Sequence, residues 1–278
     1  MNNAVPEIHP SAIVAPGATI EEDVRIGPWC QVGPNVVLER GVELVSHVVV
    51  DGHTIIRAGA KLWPFCSVGL APQDLKYRGE PTRTEIGPGT QVREHCTIHR
   101  GTVTGSGITR IGANCLLMAV VHIAHDCQIG DGVIFANNVV LGGHVEIGDY
   151  AVIGGASALH QFVRIGKGAM VGGMSGVEAD VIPFGSVLGN RARLVGLNLI
   201  GLKRRGYERA ELHRLRKAFR ILFRENNDVF AERLARVRDT YGNDRLVAEI
   251  LAFIDAPSQR GLIRPAITDD DDDERESS

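Results

Sequence analysis

The chain has 278 residues, 44% hydrophobic but only 5% aromatic, with 33 glycines and a formal net charge of −3. That length covers one large domain or two modest ones, and scarce aromatics beside abundant glycine disfavour an aromatic-cored sandwich. No stretch approaches the ~20 apolar residues that span a bilayer, and the opening MNNAVPEIHPSAIV carries no basic region followed by an apolar run. Stable membrane insertion and nucleic-acid binding are therefore not expected, and the cytoplasm is the expected compartment.

From Ile8 onward every sixth residue is aliphatic, through Val14, Ile20 and Ile26 to Leu62 and Val68. The beat resumes at Ile86, Val92 and Ile98, then restarts at Ile111 and runs through Ile123, Leu141 and Leu159 to Val177. Neither a helix nor an ordinary strand sustains such a period. Two residues before each aliphatic stands a small or β-branched residue, as at Val121, Val139 and Ser157. The pattern predicts a parallel β-helix of hexapeptides over 1–190, in which three hexads make a triangular coil and stacked coils lie about 4.8 Å apart. Glycines after the aliphatic, such as Gly27, Gly33, Gly69, Gly112 and Gly130, are expected to supply turn conformations. Cys30, Cys66, Cys96, Cys115 and Cys127 all occupy the small position, so they are expected to point inward as free thiols.

Two segments break the beat, at about 69–85 and 99–110. Long loops on a rigid scaffold are where binding groups tend to sit. Beyond residue 190 the period changes. Leu212, Leu215, Phe219 and Leu222 mark one face of a helix, with further helical segments expected near 228–239 and 243–255. Residues 191–266 thus read as a small α-helical C-terminal domain. Charge is segregated: residues 191–268 carry 17 Lys/Arg against 9 Asp/Glu, and the DDDDDERESS ending carries seven acids and one arginine. A basic face suits an acidic or phosphorylated partner, and the acidic tail, 267–278, is expected to be disordered.

His122, His125, His144 and His160 fall outside both inward positions, and His125 and His144 lie about one coil apart. Histidines converging on one wall suit either a zinc site with an open water position or a neutral imidazole acting as general base, with Asp126 fixing its tautomer. Cys127 points inward and no compact carboxylate cluster accompanies the histidines, which favours the base.

The stretches LAPQDLKY (70–77), TIHRGT (97–102), HIAHDCQIGD (122–131), ANNVVLGGHV (136–145), ASALHQF (156–162), VGGMSGV (171–177), LNLIGLKRRG (197–206) and GLIRPA (261–266) together resemble the UDP-N-acetylglucosamine acyltransferases that begin lipid A synthesis. The resemblance covers essentially residues 5–266. It implies a left-handed coil, a homotrimer, and transfer of an (R)-3-hydroxyacyl chain from acyl carrier protein to the glucosamine 3-hydroxyl of UDP-N-acetylglucosamine. No metal or other cofactor is implied beyond the carrier's phosphopantetheine. His125 matches the family's general base, Asp126 its orienting acid and Gly143 the backbone N–H that stabilises the oxyanion. Asp74 and Lys76 match contacts to the sugar or phosphopantetheine, and His99, His122, His144 and His160 match polar groups lining the cleft. Gln161, Asn198, Arg204 and Arg205 match nucleotide-side contacts. Gly173 matches the position that limits acyl length, and glycine there implies a longer chain, which Ala169, Met170 and Met174 could shorten. Ile200 departs from the acid that some relatives carry for the ribose. Competing readings are the related UDP-acylglucosamine N-acyltransferase, whose extra N-terminal domain has no room before Ile8, a zinc-dependent hydratase of carbonic anhydrase type, and a non-catalytic solenoid.

Overall fold

The computed structural model describes residues 5–225 and 228–265; the acidic tail lies outside them. Short strands stack into three sheets of 11, 9 and 8 strands that form the walls of a triangular prism. A regular coil is three hexads long, as in the parallel pairings of Ile26 with Leu44 and of Ile123 with Leu141. The aliphatic of each hexad faces the prism axis: Leu44, Ile86, Ile123 and Leu141 are all buried. The small residue packs beside it, and all five cysteines are free and buried. Desolvation raises the Cys127 thiol to about 12, so it is not a thiolate at neutral pH.

The loops add chain without adding a coil. Ile56 pairs with Ile86, so this coil holds five hexads of chain instead of three. The surplus is the first loop, between the strands Ser67–Leu70 and Arg83–Ile86. Ile98 pairs with Ile123, so the second loop, after Thr97–His99, inserts one hexad and a single residue more.

The turn chemistry differs from the expectation. Positive φ falls on the third residue after the inward aliphatic, and mostly on residues other than glycine: His47 (51°), Asp126 (61°), His144 (61°) and Phe162 (65°) among them. A left-handed conformation costs a residue with a Cβ about 1–2 kcal/mol; here most corners of the coil impose it, so strain alone does not mark a functional site. Gly27, Gly33, Gly112 and Gly130 serve a different purpose, close approach between coils. A Cβ on Gly27 would lie 1.8 Å from the Val45 carbonyl oxygen, and one on Gly112 2.5 Å from Asp131 Oδ1. Gly69 (77°) is the one of the five that does hold positive φ.

After the last coil a hairpin, Gly185–Leu188 with Arg193–Leu197, closes the end of the 11-stranded sheet. Helices α1 (Leu199–Arg204), α2 (Arg209–Phe223), α3 (Phe230–Tyr241) and α4 (Arg245–Asp255) follow. Leu212, Leu215, Phe219 and Leu222 of α2 are buried on one face, as the 3–4 spacing dictates. The helices are pinned to the prism by the Lys167–Glu249 pair (3.0 Å) and by the Arg164 guanidinium over Phe253 (4.4 Å).

Candidate active site

One corner of the prism gathers the chemistry. Asp126, His144 and Phe162 occupy the same left-handed position on three successive coils, each three hexads beyond the last. His144 lies flat on Phe162, with centroids 4.4 Å apart, and meets His125 edge-on at 5.0 Å. Continuing the column by whole coils therefore leads to Phe162, whereas His160 lies just short of it in the chain. The sequence pattern drew attention to the histidine and passed over the phenylalanine.

The second loop folds over this corner and buries Asp126, whose side chain is 0% exposed. Thr102 donates to it from its hydroxyl (2.6 Å) and its N–H (3.1 Å), Gly107 from its N–H (3.0 Å), and His125 Nδ1 lies 2.8 Å from Oδ2. The Ser106 hydroxyl is also within reach, at 3.2 Å. Burial alone would raise the carboxyl, but hydrogen bonds from His125 and Thr102 outweigh it and hold it at about 2. An ionised acceptor at Nδ1 puts the neutral imidazole's proton there, leaving the Nε2 lone pair free. Gly105 is required for this closure, since a Cβ would lie 2.4 Å from Asp126 Cγ. His125, Asp126 and His144 bring three ligand-type atoms within 4.8 Å, a spacing compatible with a metal ion. The donors on Asp126 already fill a carboxylate's roughly four lone-pair sites, so the donor set fits a hydrogen-bonded dyad better than a ligand.

Gly143 stands against the His125 ring: a Cβ there would lie 2.6 Å from Cε1 and 2.7 Å from Nε2. Its N–H donates no hydrogen bond among the described residues, whereas those of Gly142 and His144 enter the ladder. His125, Asp126 and His144 open into a cleft of about 970 Å³ that also takes in Asp74, Lys76, Gln161 and Phe162. Asp74 and Lys76 come from the first loop, where Asp74 Oδ1 accepts the Lys76 N–H at 2.9 Å.

The other expected residues lie elsewhere. His99 and His122 form an edge-on pair (4.9 Å) outside the cleft lining, with the Thr97 hydroxyl 2.7 Å from His122 Nδ1. His99 is only 7% exposed, and burial first, then His122 and His125, lower its imidazole to about 4. His160 sits on the exposed rim, 2.6 Å from an Arg260 guanidinium nitrogen. Gly173 is on a different corner, with Gly155 O 3.3 Å from where its Cβ would be. Asn198 caps α1 by accepting the Gly201 N–H and donates to Gly168 O; Arg205 lies over Tyr150 at 4.0 Å, and Arg204 is exposed. Neither Asn198 nor the two arginines reaches the His125 cleft of its own chain.

Residues 17–52 and 108–143 match the family model described as bacterial transferase hexapeptide (six repeats), and residues 180–263 match domain 2 of the Udp N-acetylglucosamine O-acyltransferase model. A protein of Azorhizobium caulinodans named acyl-[acyl-carrier-protein]–UDP-N-acetylglucosamine O-acyltransferase is 50% identical over 259 residues, 93% of this chain and 95% of its own. This chain belongs to that acyltransferase family. Among solved structures, a UDP-N-acetylglucosamine O-acyltransferase from Moraxella catarrhalis aligns with a TM-score of 0.89 at 42% identity, covering 92% of this chain and 99% of its own. A UDP-N-acetylglucosamine acyltransferase from Campylobacter jejuni aligns with a TM-score of 0.88 at 36% identity, covering 94% of this chain and 100% of its own. The fold is accordingly a left-handed parallel β-helix followed by a small helical region, a known exception to right-handed crossovers. Among the chemistries that a histidine-lined coil allows, membership of the UDP-N-acetylglucosamine O-acyltransferase family selects acyl transfer.

Proposed function

We propose that the enzyme moves an (R)-3-hydroxyacyl group from acyl carrier protein to the glucosamine 3-hydroxyl of UDP-N-acetylglucosamine, the first step of lipid A synthesis. The observation that carries this reading is the His125–Asp126 pair (2.8 Å), which leaves Nε2 free beside a cleft large enough for both substrates' reacting ends. Nε2 takes the hydroxyl proton as the oxygen attacks the thioester carbon. Charge then grows on the carbonyl oxygen, and the Gly143 N–H, which donates no hydrogen bond among the described residues, would stabilise it. Collapse of that intermediate breaks the C–S bond, and the departing thiolate takes its proton from the His125 imidazolium. Direct transfer needs neither metal nor acyl-enzyme, in keeping with a hydrogen-bonded Asp126 and buried thiols.

Asp74, Lys76, His144 and Gln161 would contact the sugar and the phosphopantetheine arm, with His99 and His122 supporting the wall behind them. Asn198, Arg204 and Arg205 would complete the nucleotide end from a neighbouring copy in a homotrimer, which accounts for their distance from the cleft of their own chain. Ile200, exposed on α1, offers the ribose no hydrogen bond. Gly173 leaves room for a longer acyl chain. The exposed Arg216, Lys217 and Arg220 of α2 have no acidic partner among the described residues, and would dock the acidic carrier protein in the cytoplasm. The test is acyl transfer from hydroxyacyl carrier proteins of several lengths to UDP-N-acetylglucosamine. His125→Ala should lose about 10²–10⁴-fold in kcat; retained turnover would remove His125 as the base.

A further inference from the structure

The segment after α4 returns to the active-site corner. Pro257 and Gln259 line the cleft, and buried Asp180 holds the segment in place. Its carboxylate accepts the Ser258 hydroxyl (2.6 Å) and Arg164 Nε–H (2.8 Å), while its backbone pairs with Gly261 O and Ile263 N–H. Thus tethered, Arg260 reaches far back along the chain. Its Nε–H donates to Gln161 O at 2.8 Å, and its Nη2 lies 2.6 Å from His160 Nδ1.

A guanidinium only donates and stays charged. The short Nη2 contact therefore requires His160 Nδ1 to accept, which places the proton of the neutral ring on Nε2. Gln161 O is also 3.3 Å from His160 Nδ1, an approach that would need the opposite tautomer. That carbonyl already receives Arg260 Nε–H, and the shorter contact to a group that cannot accept decides between them.

We propose that Arg260 is a positioning residue for the acceptor substrate: it sets His160 as an Nε2–H donor and fixes the Gln161 backbone at the rim of the cleft. This rests on the acceptor site being the UDP-sugar site described above. An arginine is suited to the task because two donors on one rigid plane reach adjacent residues, one imidazole and one carbonyl. Losing it would free the ring to adopt either tautomer, and only one of them donates from Nε2.

The test combines long-range ¹H–¹⁵N NMR of the full chain, with His160→Gln used to assign the resonance, and steady-state kinetics of the Arg260 variants. The expected wild-type spectrum has a pyridine-like Nδ1 and a protonated Nε2 at His160, and Arg260→Ala mixes the two tautomers. The same variant should raise KM for UDP-N-acetylglucosamine about tenfold with kcat changed less than threefold, the loss expected of one hydrogen bond. Arg260→Lys, also donor-only, should restore part of both effects, which a merely structural loss read in the melting temperature would not do. A wild-type His160 protonated on Nδ1, or an Arg260→Ala protein with unchanged tautomer and KM, overturns the assignment. A wild-type protein inactive in acyl transfer would instead overturn the proposed reaction, and the NMR result would still decide what Arg260 does to His160.

Discussion

The imidazole of His144 lies almost parallel to the ring of Phe162, at an interplanar angle of 5°, while His125 meets it at 90°. His144 is thereby clamped between an apolar face and the proposed base. Burial first, then nearby His125, lower its pKa despite the opposing charges of Asp126 and Asp74. An aromatic pair contributes about 0.5–1.5 kcal/mol beyond burial. Phe162→Ala should therefore cost roughly tenfold in kcat/KM, and Phe162→Tyr should leave it within about twofold. Equal kcat/KM for the alanine variant and wild type would remove the clamp from the mechanism.

Gly143 gives a sharper test, because a single methyl group would meet His125 Cε1 and Nε2 at 2.6 and 2.7 Å. Gly143 has no positive φ, so alanine strains the ring rather than the backbone. Gly143→Ala should fold with a melting temperature near wild type while losing about 10²-fold in kcat, the usual consequence of ~1 Å misplacement of a catalytic group. A crystal structure showing the His125 ring undisplaced, alongside normal turnover, would refute it.

Acid sensitivity should trace to His99. Its imidazole is held at about 4 in the folded chain, against 6.5 for an unperturbed histidine. As pH falls below 6.5 the unfolded chain takes up a proton that the folded chain refuses until about pH 4. Stability present above the unperturbed value is therefore lost across that window, by up to about 3 kcal/mol. Asp126, lowered to about 2 from 3.8, loses its own contribution only further down, so the two are separable. Urea melts of wild type and His99→Gln from about pH 4 to 8 should show a flatter profile for the variant; parallel profiles would assign the acid sensitivity elsewhere.

Charge reversal at Arg216, Lys217 and Arg220 should lower kcat/KM for the carrier-protein substrate by about 10–100-fold at low salt, with the difference shrinking as salt screens it. The same variant should turn over a free phosphopantetheine thioester as wild type does. An unchanged rate with carrier protein at every ionic strength would exclude this face as the docking surface.

Much of the scaffold was legible because one period fixes it. The inward position of Ile123 and Cys127 follows from counting by six, and the one-residue phase shift after Ile98 matches an insertion one residue longer than a hexad. Other features were not, each for a physical reason. The sign of φ does not follow from residue type when tertiary packing imposes it on Val120 (63°) or Phe162 as readily as on glycine. Thr102 and Gly107 became visible as holders of Asp126 only once the second loop folded onto the corner. Counting on from His144 by a whole coil would have found Phe162, but Arg260 carries no periodic signal and meets His160 only through tertiary folding.

The prism also constrains what insertions and deletions can do. Removing one hexad between Asp126 and His144 would turn everything downstream by about a third of a revolution and present His144 on another wall. Removing a whole coil of three hexads from the scaffold before the corner would instead preserve its facing and merely shorten the prism. The chain is thus free to grow or shrink in whole coils below the active corner, as a building gains storeys under an unchanged roof, whereas within the corner its length is fixed to the residue.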